Sequence, residues 1–360
     1  MSDHADPQSA SAGSSNPGSF RPTASLAMLR ARAALLAELR QFFRDAGYWE
    51  VETPLLSRDV VVDAWLEPFA VTQPPDGGPS RACDHETVEQ LYLQTSPEFG
   101  MKRLLAAGAT SIYQITRAFR AGEVGRNHNP EFTIVEWYRV GDTYHDQMTF
   151  VEQLTDRVLA AADRLAESDG RPHLAPPFLR LSYDAAFERF AGTRVLNLST
   201  GRLAELAAER GVTAPHGLRQ DDRDGWLNLL LAELVEPHLG RDAPVFLYDY
   251  PASQAALARV RGGDPAVAER FELYIAGVEI CNGYQELTDS GELRARTLKQ
   301  AAIRSQEGLP KLPTENRLLS AMDAGLPESS GVALGFDRLA MLALGASSIA
   351  DVMSFPFHRA

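Results

Sequence analysis

Phe271-Glu-Leu-Tyr-Ile-Ala-Gly-Val-Glu-Ile-Cys-Asn-Gly-Tyr-Gln-Glu286 places three glutamates, Glu272, Glu279 and Glu286, in an otherwise apolar and aromatic stretch. Its alternation predicts two strands, and Ala276-Gly277 supplies a two-residue hairpin turn between them. Such a turn sets Glu272 opposite Cys281 and Glu279 opposite Tyr274, with both glutamates on one sheet face. Two carboxylates so placed repel unless a cation joins them. Oxygen ligands on a rigid sheet, with room for phosphate oxygens and water, suit Mg²⁺. Glu286 has the wrong parity to share their face on a regular strand, and a bulge at Asn282-Gly283 would restore it. The alternative is a solvated strand face with ordinary surface glutamates.

Outward from the hairpin, the chain alternates strands and helices. Leu26, Leu29, Ala33, Leu36 and Phe43 recur at helical spacing from Leu26 to Ala46, and Gly47 supplies the stop. Tyr48 to Pro54 reads as a short strand whose proline sits at an edge or end, and Gln73 to Pro79 reads as a loop. A helix around Met101 to Ala107 precedes strands at Ser111 to Thr116 and Phe132 to Tyr138, an antiparallel hairpin with a long connection. Between about 150 and 265 the chain reads as a mostly helical insertion, broken by a proline-containing linker near Arg171 to Phe178 and a strand at Val245 to Tyr250. A strand at Gly331 to Gly335 leads into a last helix, Phe336 to Leu344. Strands in both halves with helices between them predict α+β architecture with a mainly antiparallel sheet flanked by helices.

Composition narrows the function. A chain of 360 residues can bury one large α/β core. Cys83 and Cys281, the only cysteines, lie far apart, which suits a reducing compartment and a cytoplasmic protein. Residues 1–24 form a Ser-, Ala-, Gly- and Pro-rich stretch read as a disordered tail, leaving 25–360 as the folded domain. No run is apolar for long enough to span a bilayer. A net charge of -13, with Lys102, Lys299 and Lys311 as the only lysines, argues against a mainly electrostatic grip on nucleic acid. Neither Gly-x-x-x-x-Gly-Lys-Ser/Thr nor Gly-x-Gly-x-x-Gly after a strand occurs, so a bound nucleotide would be gripped by arginines. The candidates are Arg120, in Phe119-Arg120-Ala-Gly-Glu123, and Arg338, in Gly335-Phe-Asp-Arg338.

The order of these motifs resembles class II aminoacyl-tRNA synthetases of the lysyl type. Glu52-Thr53-Pro54 is similar to motif 1, which implies a homodimer interface. Phe119-Arg120 with Asn127-His-Asn-Pro-Glu-Phe-Thr133 is similar to motif 2, and Gly331-Val-Ala-Leu-Gly-Phe-Asp-Arg338 to motif 3. Ser96-Pro97-Glu98-Phe99 before Lys102-Arg103-Leu104, Glu136-Trp-Tyr-Arg139 and Pro251-Ala-Ser-Gln254 resemble a stand-alone subfamily of these paralogues, the ligases that attach β-lysine to elongation factor P and lack the anticodon-binding domain.

That resemblance implies ATP and Mg²⁺ as cofactors, elongation factor P and a small cationic amino acid as partners, and no stable tRNA binding. It implies that Glu98, with Ser96 and Pro97, takes the substrate's reacting-end amino group, and that Glu286 and Tyr138 hold the distal ammonium. Arg120 would clamp the carboxylate and α-phosphate, assisted by Asn282. Phe132 would stack on adenine, with His128 and Asn129 near the phosphates and adenine edge, and Ile280 and Gly335 lining the nucleotide site. Glu272 and Glu279 would carry Mg²⁺, and Arg338 would neutralise the terminal phosphate. The catalytic set is then Arg120, Glu279 and Arg338. Gly122 stands where the synthetases usually have the glutamate that reads adenine. Either Glu123 substitutes through a shifted loop or backbone groups read the base. Ala333 stands where lysyl synthetases generally carry glycine. The alternatives are a tRNA-lysine ligase and a non-catalytic paralogue with a regulatory role.

Overall fold

Residues 20–73, 89–165 and 176–360 are described by the computed structural model. The tail up to residue 19, most of the Gln73 to Pro79 loop and the first part of the linker after Arg171 lie outside them. In chain order, α1 (Leu26–Asp45) leads to β1 (Trp49–Glu50). A small sheet follows, made by β2 (Leu56–Ser57), β3 (Ala70–Gln73) and β4 (Glu89–Leu93). Then come α2 (Glu98–Ala106), the hairpin β5 (Ser111–Phe119) and β6 (Glu131–Val140), and α3 (Tyr144–Leu165). The next part holds β7 (Leu179–Ser182), α4 (Tyr183–Ala191), α5 (Thr200–Glu209), α6 (Arg223–Leu230), β8 (Val245–Pro251) and β9 (Val260–Arg261). The acidic hairpin is β10 (Val267–Ile275) with β11 (Val278–Gln285). It is followed by α7 (Ser290–Gln306), α8 (Arg317–Gly325), β12 (Ser329–Gly335) and α9 (Phe336–Ala343).

The main sheet runs β1-β5-β6-β12-β11-β10-β8-β7, with β9 paired to β10. Only the outermost pairs, β1 with β5 and β7 with β8, are parallel, and every pair between them is antiparallel. The expected α+β class with a mainly antiparallel sheet is therefore what forms. The β5–β6 ladder is longer than periodicity predicts, because pairing continues through Arg117 and Ala118 to Phe119 opposite Glu131.

One sheet face is closed by helices. Leu35, Leu39 and Phe43 of α1, Met148, Val151 and Leu154 of α3, and Phe336 and Leu339 of α9 pack on Val135, Trp137, Phe271, Leu273, Val332 and Leu334, all buried. Each such side chain contributes roughly 1.5–3 kcal/mol by leaving water. The α1 start is fixed by Ser25, whose Oγ accepts from the Met28 amide at 3.1 Å. Gly47 ends it at φ +79°, a conformation that glycine adopts without a Cβ clash. A second core, built from Tyr183, Phe187, Leu203, Leu206, Trp226 and Leu227 of α4 to α6, packs on Leu247 and Tyr250 of β8. The opposite sheet face is left open in its middle, and there the polar residues gather.

The hairpin register corrects one expectation. Ala276 and Gly277, at φ +52° and +78°, make the turn, and Tyr274 does face Glu279. Glu272, however, faces Asn282, and Cys281 faces Leu273. The extra residue is Ile280, so the bulge lies earlier than Asn282-Gly283. Gly283 pairs in regular register with Phe271, whose ring lies where a Gly283 Cβ would fall, 2.3 Å away. The early bulge puts Glu272, Glu279, Asn282, Tyr284 and Glu286 on one face and sends Cys281, Gly283 and Gln285 to the other. Cys281 is a buried free thiol.

Candidate active site

A cavity of about 530 Å³ lies on the open face. Its wall includes Ser96, Glu98, Arg120, Glu123, His128, Asn129, Phe132, Tyr138, Glu279, Ile280, Asn282, Glu286, Gly335 and Arg338, which brings most of the expected residues together. Pro97, Gly122 and Glu272 are not part of the wall. Pro97 caps α2, Gly122 turns the loop at φ +81°, and Glu272 is buried and bonded to Arg270, which does line the wall.

One end is acidic and buried. Glu98, Glu136 and Glu286 are all buried there. Glu136 accepts from the Ser96 hydroxyl at 2.7 Å and from the Tyr138 hydroxyl at 2.6 Å. Burial and the nearby charge of Glu98 push its carboxyl up to about 8. Burial likewise pushes Glu286 up to about 7, against the lowering influence of Lys102. Lys102 Nζ lies 2.6 Å from Glu98 Oε1 and 2.5 Å from Glu286 Oε2. Beyond Lys102, neither Glu286 oxygen has a side-chain hydrogen-bond partner among the described residues. Carboxylates held this way, short of positive charge, are a ready site for ammonium groups. Gly331 forms the floor, with a Cβ there falling 2.3 Å from the Tyr138 ring and 2.6 Å from Glu286 Oε1. Ala333, between Asn282 on β11 and Glu136 on β6, forms part of the wall.

The other end carries arginines. The Arg120 guanidinium lies 5.0 Å from the Phe132 ring centre and 3.8 Å from Glu123. Arg338 donates to the Asn127 carbonyl at 3.2 Å, and to the Glu279 carbonyl and carboxylate at 3.0 and 3.2 Å. Its Nη2 is 2.7 Å from His128 Nε2. An arginine always donates, so His128 Nε2 accepts and the ring proton sits on Nδ1. Burial and the Arg338 charge both lower the His128 pKa, which keeps the ring neutral. Asn129 is committed to the fold: its amide donates to the Glu131 carbonyl at 2.6 Å, and its oxygen accepts from the Phe357 amide at 2.8 Å. At Gly335 a Cβ would make only ordinary contacts, the nearest at 3.7 Å with the Arg338 side chain. That suits a ligand lying on the strand rather than close strand packing.

Glu272 and Glu279 share a face, and burial together with the Glu272 charge raises the Glu279 pKa, with Arg338, Arg270 and Arg120 lowering it in part. Such a pair fits a divalent cation. Glu279 is the freer member, its side chain 39% exposed and held through Oε2. Glu272 is more committed, accepting from Arg270 at 2.5 Å and from the Tyr250 and Tyr274 hydroxyls at 2.6 and 2.7 Å. Among the described residues no three His, Cys, Asp or Glu side chains converge as a metal cage.

Three residues escaped the sequence reading. Glu136 shares the Tyr138 face two residues away, a parity visible in the sequence. Arg270 shares the Glu272 face in the same way. It is half-buried, stacked 4.4 Å from the Tyr250 ring centre, and bonded to Asn282 and Glu272. Lys102 follows Glu98 at helical i,i+4 spacing, but its contact with Glu286 is made only by the fold.

The chain belongs to the tRNA synthetases of class II (D, K and N), whose family model matches residues 19–359. Within that family it is similar to the elongation factor P–(R)-β-lysine ligase of Erwinia tasmaniensis, 45% identical over 345 residues that cover 96% of this chain and 99% of that protein. It is likewise 45% identical to the ligase of the same name from Yersinia enterocolitica, over 96% of this chain and all of that protein, and 43% identical to that of Klebsiella pneumoniae over the same shares. The family resemblance carried by the motifs is thus borne out, and the chain is an ATP-using ligase of this family.

Proposed function

We infer that this protein activates (R)-β-lysine, or lysine, as an adenylate and transfers it to a lysine side chain of elongation factor P. The observation that carries the chemistry is one cavity with a buried, triply acidic end and an arginine-lined end. A diamino acid fits the first and a triphosphate the second.

In the first step a substrate carboxylate oxygen attacks the α-phosphorus. The bond from that phosphorus to the bridging oxygen of pyrophosphate breaks, and pyrophosphate leaves with the electron pair. Arg120 draws the two negative groups together, and Arg338 stabilises the leaving charge. Rigid placement by the sheet lowers the entropic barrier, and no protein nucleophile is required. Glu272 and Glu279 would hold Mg²⁺, which when bound supplies positive charge to the phosphate oxygens. In the second step a neutral acceptor amine attacks the acyl carbon, AMP departs, and the amine proton passes to solvent, leaving an isopeptide bond.

Glu98, Glu136, Tyr138 and Glu286 receive the two ammonium groups in this reading, and the Ala333 methyl shapes where the reacting-end amine sits. Glu123, which lines the cavity beside Arg120, is better placed than Gly122 to read adenine. Exposed Trp49, Leu55 and Leu56 flanking Glu52-Thr53-Pro54 support a homodimer through this segment. No described helix is long and apolar enough to cross a membrane, and we place the protein in the cytoplasm, without stable tRNA binding. The test is the intact mass of purified elongation factor P after incubation with the protein, ATP and each candidate amino acid. A gain of one lysyl unit is expected, and no gain with any of them would overturn the assignment.

A further inference from the structure

Lys102 is the one lysine of the chain drawn into the core. Its side chain is 2% exposed, it takes no part in the cavity wall, and its ammonium touches Glu98 and Glu286, which do. An ammonium taken out of water costs several kcal/mol unless carboxylates compensate it. Here two do, and the Tyr138 ring centre lies 6.0 Å away. Glu136, the third carboxylate, is held by hydroxyls instead. Once a bound ammonium has drawn the protons from Glu136 and Glu286, three carboxylates against one resident ammonium leave two negative charges at this end of the cavity, the complement of a guest with two ammonium groups.

We propose that Lys102 is a specificity-determining positioning residue: a built-in ammonium that ties Glu98 to Glu286 and sets the charge of the pocket to that of a diamino acid. This rests on the reading of the pocket as the amino acid site. Without Lys102, Glu98 and Glu286 lose the ammonium that joins them, and Glu286 loses the charge that lowers its pKa, so the hold of this end on substrate ammonium groups weakens. The groups that face the Lys102 ammonium are Glu98 from its own helix, Glu286 at the end of β11, and Glu136 and Tyr138 from β6. Burial alone would lower the Lys102 pKa, but the charges of Glu286 and Glu98 more than reverse this and keep it cationic.

The test is K102M, an apolar replacement of similar length, in amino acid-dependent pyrophosphate exchange. The expected result is a KM for lysine or β-lysine raised at least tenfold, with kcat within about twofold and the KM for ATP unchanged. The preference for lysine over norleucine, which lacks the distal amine, should shrink by a similar factor. Wild-type KM and preference would overturn the proposal, and so would a parallel rise in both KM values. Should K102M fail to fold, K102A with added n-propylammonium takes its place. The amine is expected to raise the melting temperature of K102A but not of the wild type, and to lower its KM, whereas indifference to the amine would overturn the proposal. Absent exchange by the wild type with every diamino acid would refute the activity instead, and the melting experiment reports on Lys102 regardless.

Discussion

Gly331→Ala adds a single methyl to the floor of the acidic pocket. Its carbon would stand 2.3 and 2.4 Å from two Tyr138 ring carbons and 2.6 Å from Glu286 Oε1. Favourable contacts begin near 3.5 Å, so these neighbours would have to retreat by about 1 Å. They have little room to do so: Tyr138 is 3% exposed and Glu286 1%. Overpacking of this kind costs about 1–3 kcal/mol of stability, which lowers the melting temperature by several degrees. The effect on function should be larger, because a displacement of about 1 Å at a positioned group can cost roughly 10²-fold in rate. The loss should fall on the amino acid and spare ATP, since Arg120, Phe132 and Arg338 lie at the other end. Pyrophosphate exchange at saturating ATP, with amino acid varied, separates the two. A KM for amino acid within twofold of wild type, in a folded variant, would refute the placement of the substrate amine against Gly331.

Glu279→Ala should lower exchange by about 10²-fold or more, in line with loss of a preorganised electrostatic group, while the melting temperature holds because no core volume is removed. A retained rate would show that Glu279 carries no metal. Glu286→Gln should raise the KM for amino acid by roughly tenfold, the worth of one charged hydrogen bond, and an unchanged KM would put the distal ammonium elsewhere. The pH dependence has a definite sign. Glu136 and Glu286 titrate at about 8 and about 7 when folded, against an ordinary 4.5, so the ligand-free fold retains protons that the unfolded chain has released. Their contribution to stability is therefore greatest below pH 4.5 and is lost as pH rises to about 8. Thermal melts should show that fall, and a ligand ammonium, which favours the ionised forms, should release protons on binding. Calorimetric titration in two buffers of different ionisation enthalpy measures the release, and identical heats would contradict it.

The hairpin, its turn and the shared face of Glu272 and Glu279 were legible because strand alternation and positive-φ turn residues are local properties. The position of the bulge was not. It belongs to a ladder in which the Phe271 ring lies over Gly283, a contact no spacing rule encodes. Asn129 reads in sequence as a loop residue free to meet a ligand, yet it ties down Phe357, more than two hundred residues on. Buried charges were the harder case. Arg270 and Lys102 look like any surface cation until the fold surrounds them with carboxylates and aromatic rings.

The extra residue at Ile280 makes hairpin length a chemical property. A strand shorter by one residue would keep its composition and its partners, yet Asn282, Tyr284 and Glu286 would rotate into the helix-packed layer, and Cys281 and Gln285 would line the cavity instead. Insertions and deletions between Glu279 and Asn282 should therefore be tolerated far less well than substitutions there, however conservative the exchanged side chains.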